Sequence, residues 1–72
     1  MYLTEAVEKF VDMVEQLENE TTEQKDKHIF AVQKYGTNLL KQFKGGRKIL
    51  IEYVESKMVD IDEYVELRHK ER

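Results

Sequence analysis

The chain contains no cysteine, no proline, no tryptophan and only three glycines among 72 residues. Without cysteine there are no disulfides and no thiolate ligands, and two histidines do not make a zinc site by themselves. The absence of proline and the scarcity of glycine exclude collagen-like and low-complexity chains. No apolar run reaches the roughly 18 residues of a membrane-spanning helix. No basic segment followed by an apolar one marks a secretory leader, so a cytoplasmic location is expected.

What is present is a balance of apolar and charged residues. Apolar residues make up 40% of the chain, against 15 acids and 12 bases for a net charge of −3. That apolar share is too high for a disordered acidic tail, and the length suits one domain spanning residues 1–72. A chain this short buries only about 60% of its unfolded surface. With disulfides excluded and no metal site expected, either the core packs unusually well or a second copy completes it. The apolar residues Met13, Tyr35 and Leu40, which flank the main seams, favour a homodimer.

The apolar residues recur at helical spacing. Leu3, Val7, Phe10, Val14 and Leu17 form a heptad seam, widened by Ala6, Val11 and Met13. With Thr4 as cap, this predicts a first helix over about 4–19. Thr21 and Gln24 have the spacing of a capping box and open a second helix with the seam Ile29, Val32, Gly36, Leu39 and Phe43. Gly36 on that stripe points to close approach of a neighbouring backbone, or to a kink. Gly45–Gly46 supplies the left-handed residue that stops the helix.

In the third segment Ile49, Leu50, Ile51, Tyr53 and Val54 are apolar almost all round, which predicts a position central to the core. A strand over 48–54 would have no partner, so a helix is preferred. The seam Ile51, Val54, Met58, Ile61, Val65 favours continuity. Asp60 with Glu63 resembles a second capping box, however, and Val59 with Tyr64 a hydrophobic staple. The fold expected is a compact all-α bundle of three long helices, the third broken near Met58–Asp60 into two.

Charge is unevenly spread. Residues 1–22 carry six acids and one base; residues 23–48 carry seven bases and two acids; residues 49–72 carry seven acids and four bases. On the predicted helices Glu5, Glu8, Asp12 and Glu15 lie away from the first seam, and Lys27, Lys34 and Lys41 opposite the second. Lys44, Arg47 and Lys48 extend the basic row through the glycine turn. The bland reading is a solvated helix face. The functional reading is an acidic ridge and a basic ridge, each a docking surface.

Chemistry finds little support. No G-x-S-x-G or related nucleophile motif occurs, and the many carboxylates belong to charged helix faces where nothing desolvates them. Asp60-x-Asp62 begins like a calcium loop, but Tyr64 stands at its fifth position and Val65 at its sixth, where glycine is required. Glu66-x-x-His69 has the spacing of di-iron bundles but occurs once. His28 reads as a partly buried, satisfied side chain, and the sequon at Asn19 is meaningless without secretion. No enzyme, metal or cofactor is expected.

A helix-turn-helix near 47–70 would place Asp62, Glu63 and Glu66 where DNA phosphates belong. The basic second helix and the Lys44–Lys48 turn are the credible nucleic-acid surface, though Arg47 is the sole arginine there for base readout. A peripheral membrane role would consume the apolar face that the core needs. The sequence therefore favours a small non-enzymatic protein-interaction module (regulatory, adaptor or inhibitor), with a nucleic-acid-binding regulator as the alternative.

Overall fold

The computed structural model describes residues 2–70, and within them three helices: α1 (Leu3–Glu18), α2 (Thr22–Gln42) and α3 (Lys48–Lys70). Glu71 and Arg72, counted above in the last charge block, lie outside the described residues. At about 1.5 Å rise per residue a 23-residue helix is roughly 35 Å long. This accounts for a bundle of 37 × 21 × 16 Å.

The core is the set of seams the heptads define. Ala6, Val7, Phe10, Val14 and Leu17 of α1 meet Ile29, Val32, Gly36 and Leu39 of α2 and Val54, Met58 and Ile61 of α3, with Phe10 and Val54 completely enclosed. Leu3, Phe43, Ile51 and Val65, at the ends of the seams, are half-buried. Gly36 does allow a close approach, but by side chains rather than backbone. A Cβ there would collide with the Met58 thioether and lie 2.9 Å from Phe10 Cε1. The space a side chain would fill is already taken from both neighbouring helices.

Local signals set both ends of α2. Thr21 is the N-cap of α2, its Oγ1 accepting from the Gln24 N–H at 3.3 Å. Gly45 takes the left-handed conformation at φ 85°, and Gly46 N–H closes the turn onto the Phe43 carbonyl at 2.9 Å. Thr4, by contrast, does not cap α1. The helix begins at Leu3 with Tyr2 as N-cap, and Tyr2 makes no side-chain cap bond. Its reach comes from Leu3, whose Cδ2 lies 2.9 Å from where a Gly46 Cβ would stand. Apolar contact with the α2–α3 turn thus holds the extra residue in the helix.

Two expectations for α3 are corrected. The helix is unbroken through Met58–Asp60. In a continuous helix Val59 and Tyr64 project to different sides, so they form no staple: Val59 is exposed, whereas Tyr64 turns inward to bond Asp26. The seam Val54, Met58, Ile61 is paired along its length with α1 and α2, and that burial outweighs a capping signal built from two exposed acids. Nor is the start of α3 central to the core. Ile49 is 78% exposed, Leu50, Ile51 and Tyr53 are half-buried, and Val54 alone is enclosed.

Candidate functional site

The outward faces of α1 and α2 carry the residues singled out by charge. Glu5, Glu8, Asp12 and Glu15 are all exposed, as are Lys27, Lys34, Lys41, Lys44, Arg47 and Lys48. Seven-residue spacing sets Lys27, Lys34 and Lys41 about 10 Å apart along one side of α2. Glu5 and Asp12, and likewise Glu8 and Glu15, repeat that interval on α1. Lys44 and Arg47 lie in the turn, and Lys48 opens α3.

The two ridges do not neutralise each other. Among the described residues the four ridge acids form no ion pair, nor do Lys27, Lys34, Lys41, Lys44 or Arg47; Lys48 alone of the set does, to Glu52 at 3.9 Å. The hairpin is instead joined on its flanks. Tyr35 of α2 donates its hydroxyl to the Ala6 carbonyl at 3.2 Å, and Lys9 of α1 sits 5.5 Å over the Tyr35 ring. Burial raises the Tyr35 phenol above its ordinary value of 10.0.

Further polar contacts join the helices without any signal in the sequence. Asp26 near the start of α2 accepts from Tyr64 Oη at 2.7 Å and from Arg68 through Nε at 3.2 Å and Nη2 at 2.5 Å. The guanidinium therefore meets the carboxylate side-on with two parallel bonds, the strong geometry for this pair. Gln33 donates to Asp62 at 2.7 Å farther along the same α2–α3 seam. Across the α1–α2 turn His28 Nδ1 meets Glu20 Oε2 at 2.6 Å, with 11% of the Glu20 side chain exposed and 54% of that of His28. His28 is thus satisfied but on the surface, where a partly buried position was expected.

That pair borders an open hollow of about 270 Å³ between α1 and α2, floored by Met13, Leu17 and Val32. A carboxylate and an imidazole there could exchange a proton, but no hydroxyl or thiol nucleophile lines the hollow. Asp60 and Asp62 lie on unbroken helix, a backbone that does not wrap a calcium ion. Glu66 and His69 are exposed near the end of α3, with Glu66 3.6 Å from Lys70. Among the described residues no three His, Asp or Glu side chains gather as a metal would require, and no helix is long and apolar enough to cross a membrane.

Phe30 is the surface feature that charge patterning overlooked. It lies on the basic side of α2, three residues after Lys27 and four before Lys34, and is 59% exposed. Its helical position relative to the seam was available in the sequence; its exposure follows from the side of α2 that α3 covers. Met13, Tyr35 and Leu40, by contrast, pack against the chain's own core. Comparison with protein-family models, with curated proteins and with solved structures finds no match to this chain.

Proposed function

We propose that the chain is a non-enzymatic protein-interaction module, a regulator, adaptor or inhibitor that acts by docking its charged helix faces. One observation carries this reading: two outward rows of like charge, acidic on α1 and basic on α2, left without ion-pair partners inside the chain. Charge in this arrangement speeds encounter and selects partners, while contributing little to folding. A homodimer remains part of this reading: Met13, Tyr35 and Leu40 pack against the chain's own core but are only half-buried, which leaves part of each for a second copy.

Nucleic acid is the second reading, favoured by the continuity of Lys27, Lys34 and Lys41 with Lys44, Arg47 and Lys48. The stripe is narrow, however. α1 on one side carries the acidic ridge, and α3 on the other exposes Glu52, Glu55, Asp62, Glu63 and Glu66. A duplex laid along α2 would overhang these carboxylates.

Affinity capture from nuclease-treated extract of the native host tests the choice. The baits are the parent chain, a Lys27→Gln/Lys34→Gln/Lys41→Gln variant and a Glu8→Gln/Asp12→Gln/Glu15→Gln variant. Docking predicts a protein held by the parent and lost by at least one variant of unchanged melting temperature. Capture that vanishes with the nuclease, together with oligonucleotide binding that weakens linearly in log salt, assigns the basic ridge to nucleic acid.

A further inference from the structure

Beside Phe30 the α2–α3 groove opens into a small hollow of about 80 Å³, lined by Asp26, Ile29, Phe30, Val65, Arg68 and His69. We propose that this hollow is an anchor point for an acidic amphipathic helix of a partner protein, which lies along α2 with its carboxylates on Lys27, Lys34 and Lys41. The proposal rests on the docking reading above and names the occupant of the basic face.

Three features converge on that occupant. The first is the hollow itself. Buried Ile29 and half-buried Val65 give it an apolar floor, and exposed Phe30 forms one wall, a lining that suits an aliphatic side chain. The second is the charge around it. The Asp26 carboxylate on the rim is already engaged by Tyr64 and Arg68, and the other charges near Phe30 on α2 are Lys27 and Lys34. An apolar side chain entering here thus meets cations on its α2 side, while Asp62 on the α3 side is bonded by Gln33, which selects a partner whose anchor carries acids toward α2.

The third feature is the spacing. Lysines seven apart on α2 match acids seven apart on a second helix packed alongside it, because both repeat every two turns. A single nucleic-acid strand places phosphates more closely than that, and it would find one exposed aromatic ring on the stripe where stacking platforms use several.

The test uses fluorescence anisotropy with the whole chain and four synthetic probes. The first is a helical peptide of about 20 residues with Glu at seven-residue intervals and a central Leu. The second has the same composition with the Glu five apart, the third has Ser for the central Leu, and the fourth is an oligothymidylate strand of similar length. The expected result is binding of the first peptide, weakened about tenfold or more by loss of the central Leu or by Phe30→Ser, as for the anchor of an interface. Lys34→Gln should weaken it less, and more salt should slow association.

Equal affinity for the five-spaced peptide, indifference to Phe30→Ser, absence of peptide binding, or tighter binding of the oligonucleotide each overturns the proposal. Self-association that Phe30→Ser abolishes would assign the hollow to a second copy and overturn it as well. Phe30 is exposed, so its replacement leaves the melting temperature as the check on folding. If Phe30→Ser leaves peptide binding unchanged while the triple lysine variant still loses its captured partner, the anchor fails and the docking reading stands.

Discussion

The two long sides of α2 are made from the same chain under opposite constraints. On the inner side Ile29, Val32, Gly36 and Leu39 are closed in by α1 and α3, so tightly that a single Cβ at Gly36 has nowhere to go. On the outer side Lys27, Lys34 and Lys41 are exposed, and Phe30 stands exposed at the edge of the α2–α3 groove. Stability is concentrated on the first side and freedom to evolve contacts on the second. Substitutions of similar size should therefore have very different effects depending on which side they fall.

The largest effect is expected at Gly36. Gly36→Leu must displace both Met58 and Phe10 from an enclosed core, at a cost of about 1–3 kcal/mol, read as a lower midpoint in urea. Gly36→Ala should cost less, because a single Cβ asks for a smaller shift of the flexible Met58 side chain and of Phe10. A Leu variant as stable as the parent would mean that α2 and α3 do not pack as closely as described.

Next comes the flank where the two sides meet. Asp26→Ala removes the carboxylate that accepts from Tyr64 and Arg68, a loss of about 1–2 kcal/mol once partial exposure is allowed for. Asp26→Asn, which retains acceptor capacity for the tyrosine, should lie between parent and alanine. An unchanged midpoint for Asp26→Ala would reduce this network to a surface contact.

Tyr35, on the opposite flank, gives a pH signature. Its phenol is raised by burial, so the folded chain holds that proton more tightly than the unfolded one. The associated stability is complete below about pH 10 and is lost as pH climbs through the higher folded-state value. Tyr35→Phe forfeits the bond to the Ala6 carbonyl, worth about 1 kcal/mol at neutral pH. Melting curves of the two proteins should draw together above about pH 10; a gap that stays constant would show that the hydroxyl is as solvated in the fold as outside it.

The smallest effects belong to the outer faces. Neutralising Lys27, Lys34 or Lys41, or Glu8, Asp12 or Glu15, should change stability by about 0–1 kcal/mol each, since none has a partner to lose. Slight stabilisation is expected for the acids, where Glu8 and Asp12 repel at a spacing of four. A large loss from any of these variants would move that residue from the outer side to the inner.

This ordering was partly legible from residues alone. The α1 and α2 seams are repeated often enough that Val7, Phe10, Val14, Leu17, Ile29, Val32 and Leu39 had one consistent face, and the charges opposite them followed. The α3 break was misjudged because Asp60 with Glu63 is a local pattern whose weight depends on what the surrounding seam buries, and that burial is a tertiary quantity. The early α3 residues were overvalued for the same reason: Ile49 is apolar, yet nothing reaches it. Asp26, Tyr64 and Arg68 lie up to 42 residues apart, and no spacing rule joins them until the register of α3 against α2 is known. Phe30 belongs neither to the apolar seam nor to the charged rows, so neither pattern marks it.

The two connections, Asn19–Thr21 and Phe43–Arg47, also set the tempo of assembly. Each links helices that lie side by side, so α1–α2 and α2–α3 form as hairpins with little chain to close between them. Docking of α1 onto α3 needs only that both hairpins share α2. Such a topology has low contact order, and chains of that kind reach the native state on a timescale of about microseconds to milliseconds. The same locality leaves no slow step to wait for: there is no proline to isomerise and no cysteine to oxidise. After synthesis or a transient unfolding, the charged faces are presented again almost as soon as the chain collapses.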